Sequence, residues 1–358
     1  MFCYEVTEHG APLQRRERPT PAPVGREVVI RMTHCGLCHS DVHLWKGFHD
    51  LGGENKALIR DRGIVPPLTL GHEPLGIVSA IGPDVRSVKV GDKRLVYPWL
   101  GCGQCWACDE DLPLLCVTPK AIGVTRAGGY STHLLVPDER YLVDTDGIDD
   151  AFAATLACSG VTSYSAVRKV LSRTHRGDSV AVIGCGGLGL LAISILRASG
   201  HREIIACDVD QGKLDAAIQQ GASESLRADQ PGAIDRLRDL AGSRLAGVID
   251  FVGRPETFAA SFAAIRRGGV YVLVGLHGGA LTFPMPPIAQ RYVSIEGSYV
   301  GTQEELRAVV SLAREGKLQA PPIRQRTPEQ ITDVLRELDR NAGVGRNVVT
   351  FPFVQTGR

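Results

Sequence analysis

Two patterns of apolar and polar positions divide the chain. Up to about residue 155 the apolar residues come in short runs broken by glycine and proline. Val28-Val29-Ile30 lies within residues 26–32, similar runs occupy residues 75–81 and 94–97, and Gly82-Pro83 and Gly91-Asp92 mark turns. This predicts a mostly β domain with irregular loops. Residues 45–67 form a longer polar stretch with Gly52-Gly53 and Pro66-Pro67, which predicts an exposed loop or short helix over a cleft.

From about residue 156 strands and helices alternate. Residues 179–183 read as a buried strand, Gly184-Cys185-Gly186-Gly187-Leu188-Gly189 follows, and Leu188, Leu191, Ala192, Ile195 and Leu196 recur at helical spacing. A strand over 203–207 ends in Asp208, strands over 247–252 and 269–276 flank a helical run over 256–265, and residues 291–300 have strand character. The amphipathic run 328–338 and the apolar run 347–354 are expected to pack back on the first domain. The predicted fold class is therefore α/β: a mostly β domain over 1–155, a doubly wound parallel sheet over 156–299, and a returning segment over 300–358. There is no internal repeat and no low-complexity linker.

Composition narrows the functions. A chain of 358 residues is long enough for two cores, and 44% hydrophobic with 22% charged residues is ordinary for a soluble globular protein. The 40 Lys and Arg against 39 Asp and Glu leave a formal charge of +1, so no field of one sign attracts nucleic acid or an anionic membrane. Residues 179–196 are uncharged, but Gly184, Gly186, Gly187 and Gly189 in their middle suit a strand, turn and helix better than a membrane span. Ten cysteines without a visible export signal point to metal or catalytic use over disulfides, and to the cytoplasm.

Three motifs carry chemistry. The G-x-G-x-x-G turn follows a strand and opens a helix, with Asp208 standing 19 positions past its last glycine. That is the dinucleotide fingerprint: the glycines admit the pyrophosphate to the helix N-terminus, and Asp208 would accept from the ribose hydroxyls and repel a 2′-phosphate. NAD is expected over NADP. Next, Cys102, Cys105, Cys108 and Cys116 lie close enough to wrap one tetrahedral zinc within a lobe over 101–117. An iron–sulfur cluster would use the same ligand type; a nucleic-acid-binding ribbon is disfavoured by the acidic neighbours Asp109, Glu110 and Asp111.

The third motif is Cys35-Gly36-Leu37-Cys38-His39-Ser40-Asp41-Val42-His43 with Gly71-His72-Glu73. Cys35-x-x-Cys38-His39 is also the spacing of covalent haem attachment, which needs an exported chain; Met1 to Gly10 shows no leader pattern. The alternative is that Cys38 and His72, with a distant third sulfur, hold a zinc ion whose fourth position stays open.

Taken together, these residues resemble the zinc-dependent medium-chain alcohol dehydrogenases over essentially the whole length. The resemblance implies a GroES-like catalytic domain built from both chain ends and an inserted Rossmann domain. It implies Cys38, His72 and Cys158, the last in Leu156-Ala157-Cys158-Ser159-Gly160, as ligands of the catalytic zinc, with Glu73 able to approach the metal. It further implies Ser40 and His43 as a proton relay, His39, Thr162 and Arg346 as cofactor contacts beside Gly184, Gly186, Gly187, Leu188 and Gly189, and a second, structural zinc on the four-cysteine lobe.

Residues 45–67 and Trp99 look more like the tetrameric archaeal and bacterial branch, with subunits paired through the 269–276 and 291–300 strands. A homotetramer is expected, and Trp99 as a wall of the substrate pocket. The activity implied is NAD-linked oxidation of primary or secondary alcohols, reversible to aldehydes or ketones. A specialised polyol or hydroxy-acid dehydrogenase is the nearest rival, and a non-catalytic nucleotide-binding redox sensor a third. The remaining histidines, His9, His34, His49, His133, His175, His201 and His277, read as structural, and Cys3, Cys185 and Cys207 as small buried hydrophobes.

Overall fold

A computed structural model describes residues 1–52, 54–110 and 112–352. Gly53, Asp111 and the last two positions of the apolar run 347–354 lie outside the described residues.

The first half is organised by one long strand, Val28–Leu37, buried at eight of its ten positions. Along one edge it pairs antiparallel with Pro74–Ile81. Its other edge is shared: the first half pairs with His133–Val136 and the second half with Arg346–Thr350, almost at the far end of the described chain. Lys93–Val96, Leu142–Asp144 and Ile323–Arg326 complete a seven-stranded sheet. Cys35 and Cys38 thus sit at the end of a strand that the C-terminal segment also holds, and helix His39–Lys46 begins there and packs against helix Ile331–Asp339.

The second half is a six-stranded, wholly parallel sheet in the order Glu224–Arg227, Ile204–Asp208, Ser179–Ile183, Leu245–Asp250, Val270–Leu273, Ser294–Gly297. Ser179–Ile183 and Leu245–Asp250 are buried at every position, as central parallel strands covered on both faces must be. Helices Val161–Leu171, Gly187–Ala198 and Gln211–Gln219 pack on one face, and Ala233–Ala241 with Pro255–Ala264 on the other. The strand order reverses between Ser179–Ile183 and Leu245–Asp250, and the crevice beyond their carboxyl ends is where this architecture binds ligands.

One stretch differs from the expectation. Within residues 45–67 the expected short helix is present only as a 3-10 turn, Ile59–Arg62, and ahead of it, where helix His39–Lys46 stops at Gly47, stands a β-hairpin, Phe48–Gly52 with Asn55–Leu58. Its anchors are few, chiefly buried Ile59 and Ile64, and Lys56 lies over the Phe48 ring at 4.3 Å. So sparse an apolar pattern hides the strand period.

Candidate active site

The glycine-rich turn is built as its chemistry requires. Gly184 adopts φ +86, and a Cβ on Gly189 would stand 2.0 Å from the Gly184 carbonyl oxygen, so the helix can approach the strand only through glycine. Gly187 leaves room for the Arg346 side chain, which a Cβ would meet at 2.1 Å. A Cβ on Gly186 would meet nothing within 4 Å, and this residue lines the cleft. Asp208 fastens the turn: its Oδ2 accepts from Cys185 N at 2.7 Å, and Oδ1 from Val209 N at 2.7 Å and Asp210 N at 3.0 Å. The Cys185 side chain is buried away from the cleft, and only its backbone takes part.

Three distant segments bring four candidate ligands together. Cys38 caps helix His39–Lys46, His72 precedes strand Pro74–Ile81, and Cys158 lies on a π-helical turn, Leu156–Gly160, inside an otherwise α-helical run. Such a turn is common at functional sites because it redirects one side chain. One donor atom from each of Cys38, His72, Glu73 and Cys158 lies within 4.8 Å of the others, all four residues being buried. Cys38 Sγ and Cys158 Sγ are 3.9 Å apart; two thiolates about 2.3 Å from a tetrahedral zinc stand about 3.8 Å apart. His72 Nε2 and Glu73 Oε2 are buried with no hydrogen-bond partner, which a cation would supply. The donor set fits zinc.

Asp41 orders this nest, a role the sequence reading did not assign. Fully buried, it faces His72 Nδ1 at 3.1 Å, accepts from the Tyr130 hydroxyl at 2.9 Å, and takes the Cys38 N–H at 3.0 Å. The carboxylate fixes the imidazole so that Nε2 points at the sulfurs. Burial alone would push His72 down, but Asp41 and the Cys38 thiolate more than offset it and hold the imidazole well above its usual value. Cys38 is held well below the thiol range, first by the hydrogen bond from Cys158, which is pushed up in turn.

Glu73 and Arg346 join the nest to the glycine turn. Arg346 Nη2 donates to Glu73 Oε1 at 2.6 Å, both being buried. Burial pushes the Glu73 carboxyl up to about 7, with Arg346 pulling the other way. Gly36 makes space for it, since a Cβ there would overlap Glu73 Oε2 at 1.7 Å. Cys35, three residues before Cys38, turns away into the core beside Gly129, so the two thiols do not face one partner.

Cys102, Cys105, Cys108 and Cys116 form the second nest, with Sγ separations of 3.6 Å (Cys105 to Cys108), 3.8 Å (Cys105 to Cys116) and 4.0 Å (Cys102 to Cys108). None forms a disulfide. Backbone N–H groups of Val117 and Cys108 pull Cys105 down to about 6, favouring the thiolate a metal needs.

One cleft of about 1090 Å³ runs from the first nest along the glycine turn, large enough for a dinucleotide with a small substrate. Cys38, His39, Ser40, His43, Cys158, Thr162, Leu188, Asp208 and Arg346 reach it, with Gly184, Gly186, Gly187 and Gly189. Thr162 Oγ1 is buried without a partner there. His72 and Glu73 stand behind this surface. Trp99 does too: it is buried, its ring 5.6 Å from His72 and 6.0 Å from Tyr299, and Tyr299 is the side chain on the cleft. Tyr299 precedes Val300, a buried β-branched residue held at φ +50, and such strain marks a position the surroundings impose. No pattern in the sequence announces it.

Comparison with known proteins agrees with this geometry. The Alcohol dehydrogenase GroES-like domain profile matches residues 25–146 and the Zinc-binding dehydrogenase profile residues 187–315. The chain is 34% identical over 351 residues to an NAD-dependent alcohol dehydrogenase of Sulfurisphaera tokodaii, covering 98% of this chain and 99% of that one. To an alcohol dehydrogenase of Geobacillus stearothermophilus it is 31% identical, covering 96% and 98%. Among solved structures, an alcohol dehydrogenase from the archaeon Aeropyrum pernix superposes with a TM-score of 0.88 at 29% identity over 98% of this chain and all of that one. A D-arabinose dehydrogenase from Sulfolobus solfataricus gives 0.82 at 27% identity over 98% and 99%.

Proposed function

Because the chain belongs to the zinc-binding, NAD-dependent alcohol dehydrogenases, we propose that it oxidises primary or secondary alcohols reversibly to aldehydes or ketones in the cleft beside Cys38. The observation that carries this reading is the meeting of Cys38, His72 and Cys158 at one end of a cleft whose other wall is the Gly184–Gly189 turn. Those three side chains would hold the catalytic zinc, and the four cysteines of residues 102–116 a structural one. When bound, zinc supplies Lewis acidity toward an alcohol oxygen, and NAD supplies the hydride acceptor.

The chain's own residues do the rest. Ser40 and His43 lie three apart on one helix face and both reach the cleft, so the hydroxyl proton has a path from Ser40 to His43 and outward. His39, Thr162, Leu188 and Arg346, with the backbone at Gly186, would seat the dinucleotide; Asp208 would favour NAD. Tyr299, backed by Trp99, would form a wall of the substrate side. Glu73, tied to Arg346, supplies a carboxylate at the metal nest.

The GroES-like unit is read as residues 1–155 closed by 300–358, around a Rossmann unit over 156–299. Ser294–Gly297 is the end strand of the parallel sheet, with Ile295 on it and Tyr292 just before it both exposed. Pairing of this edge with a second copy, within a homotetramer, is the proposed assembly. Among the described residues no helix is long and apolar enough to cross a membrane, and a cytoplasmic setting is proposed.

The test is metal content together with NADH formation from a panel of alcohols, polyols and hydroxy acids. Alcohol-dependent NADH with zinc bound supports the reading; zinc-loaded protein inert toward the whole panel would end it. Turnover confined to sugars or polyols would instead favour the specialised rival, to which the likeness to the arabinose enzyme also points. Asp208→Gly should weaken NAD by about 10–100-fold, the scale of lost charge-assisted hydrogen bonds, and lower its preference over NADP; an unchanged NAD to NADP ratio would contradict the assignment.

A further inference from the structure

The relay just described stops at His43, and the structure shows what lies beyond it. The His43 ring stands between two others, His39 at 5.3 Å and His49 at 4.6 Å, the latter inclined by 35°. Burial, then the neighbouring charges of His49 and His39, push His43 down to about 4. A proton on His43 is therefore poorly held and needs a receiver.

His49 is delivered to that position by backbone geometry. Helix His39–Lys46 ends at Gly47, φ +83, whose N–H donates to the His43 carbonyl oxygen at 2.8 Å, so the chain doubles back beside His43. Strand Phe48–Gly52 then carries His49 opposite Ala57. Two glycines let the hairpin lie close against the Rossmann unit. A Cβ on Gly52 would stand 2.7 Å from Ala280 N, and one on Gly278 2.3 Å from the Asp50 carbonyl oxygen, both glycines being in the left-handed region (φ +93 and +102). Backbone meets backbone there, at Asp50, one residue from His49, and at Gly52, three residues from it.

We propose that His49 is the outer imidazole of the proton relay, taking the alcohol's proton from His43 and releasing it to water. The inference rests on the alcohol dehydrogenase reading of the cleft. One ring N–H bond of protonated His43 breaks as one forms on neutral His49 across one bridging water; His43 returns to the neutral form, and His49 then gives the proton to solvent or buffer. No electrons move in this step. The charged and titratable groups facing His49 are His43 from the helix and Arg62 from the 3-10 turn, and with burial Arg62 keeps His49 below its usual value as well, so that neither ring stores the proton.

The test uses the zinc-loaded full chain and alcohol oxidation followed against pH in dilute buffer. His49→Phe keeps a ring in place without a nitrogen, and should lower turnover near pH 7 by about tenfold, below the loss of a primary acid–base group. In His49→Ala, added imidazole should restore turnover, with KM for NAD and zinc content as in wild type. Gly278→Ala, which displaces the hairpin but keeps His49, should show the same defect and the same rescue. Wild-type turnover and pH profile in His49→Phe would overturn the proposal, as would a loss in His49→Ala that imidazole does not restore, since packing alone would then explain the residue. If wild type turns over alcohols and Cys38→Ser does not, the cleft reading stands whatever His49 does; a wild type inert to alcohols removes both.

Discussion

The two cysteine nests use the same chemistry and are assembled in opposite ways. Cys102, Cys105, Cys108 and Cys116 come from one stretch of fifteen residues and are partly open to solvent except Cys116, so four sulfurs close around one point with no corner left for substrate. Cys38, His72 and Cys158 come from three separate segments and are buried, with Cys38 and Cys158 reaching the cleft. The first nest organises its own loop. The second is organised by the whole fold, through Asp41, Arg346 and the strand that both chain ends share. Sulfur number sets whether a site can be closed, but the sequence distance between ligands decides whether the metal makes the structure or the structure makes the site.

That contrast can be broken at either end. The largest effect is expected from Cys38→Ser, which should lower alcohol-dependent NADH formation by roughly a thousandfold or more while NAD binding, followed by NADH fluorescence, persists. Asp41→Asn comes next: losing the carboxylate behind His72 should weaken metal at the central nest by about 10–100-fold, measured by chelator competition, with the four-cysteine lobe keeping its metal. Loss from both nests alike would mean that Asp41 serves general folding instead.

Cys105→Ser should do the reverse, lowering the melting temperature in calorimetry while each folded molecule turns over as before. An activity loss at unchanged melting temperature would erase the distinction. The smallest effect concerns pH. The folded chain holds His43 at about 4, below the ordinary value of about 6.5, so between those limits the unfolded chain binds more protons and stability falls as pH drops. Melting temperatures taken from pH 7 to 4 should fall less steeply in His43→Gln than in wild type; parallel curves would remove His43 from the titration.

Much of this was legible because local chemistry writes local spacing. The four-cysteine lobe keeps its ligands within fifteen residues, the Gly184–Gly189 turn and the Cys35–His43 motif are each one short continuous segment, and alternating patterns over 179–300 announce a parallel sheet. What stayed hidden depends on three-dimensional closure. Asp41 is one of 39 acidic residues, and nothing in its spacing says that it lies against His72 and Tyr130. The pairing of Arg346 with Glu73 spans 273 positions. The hairpin that carries His49 lacks a strand period, because Gly52 and Gly278 seat it by backbone contacts that leave no apolar signature.

X-ray diffraction from crystals of the purified protein, collected on both sides of the zinc absorption edge, bears most directly on the central nest. Two anomalous peaks per chain are expected, one among the four lobe cysteines and one within bonding distance of Cys38, His72 and Cys158, the second vanishing in Cys38→Ser along with turnover. Protein that oxidises alcohols with no peak at those three side chains would contradict the account.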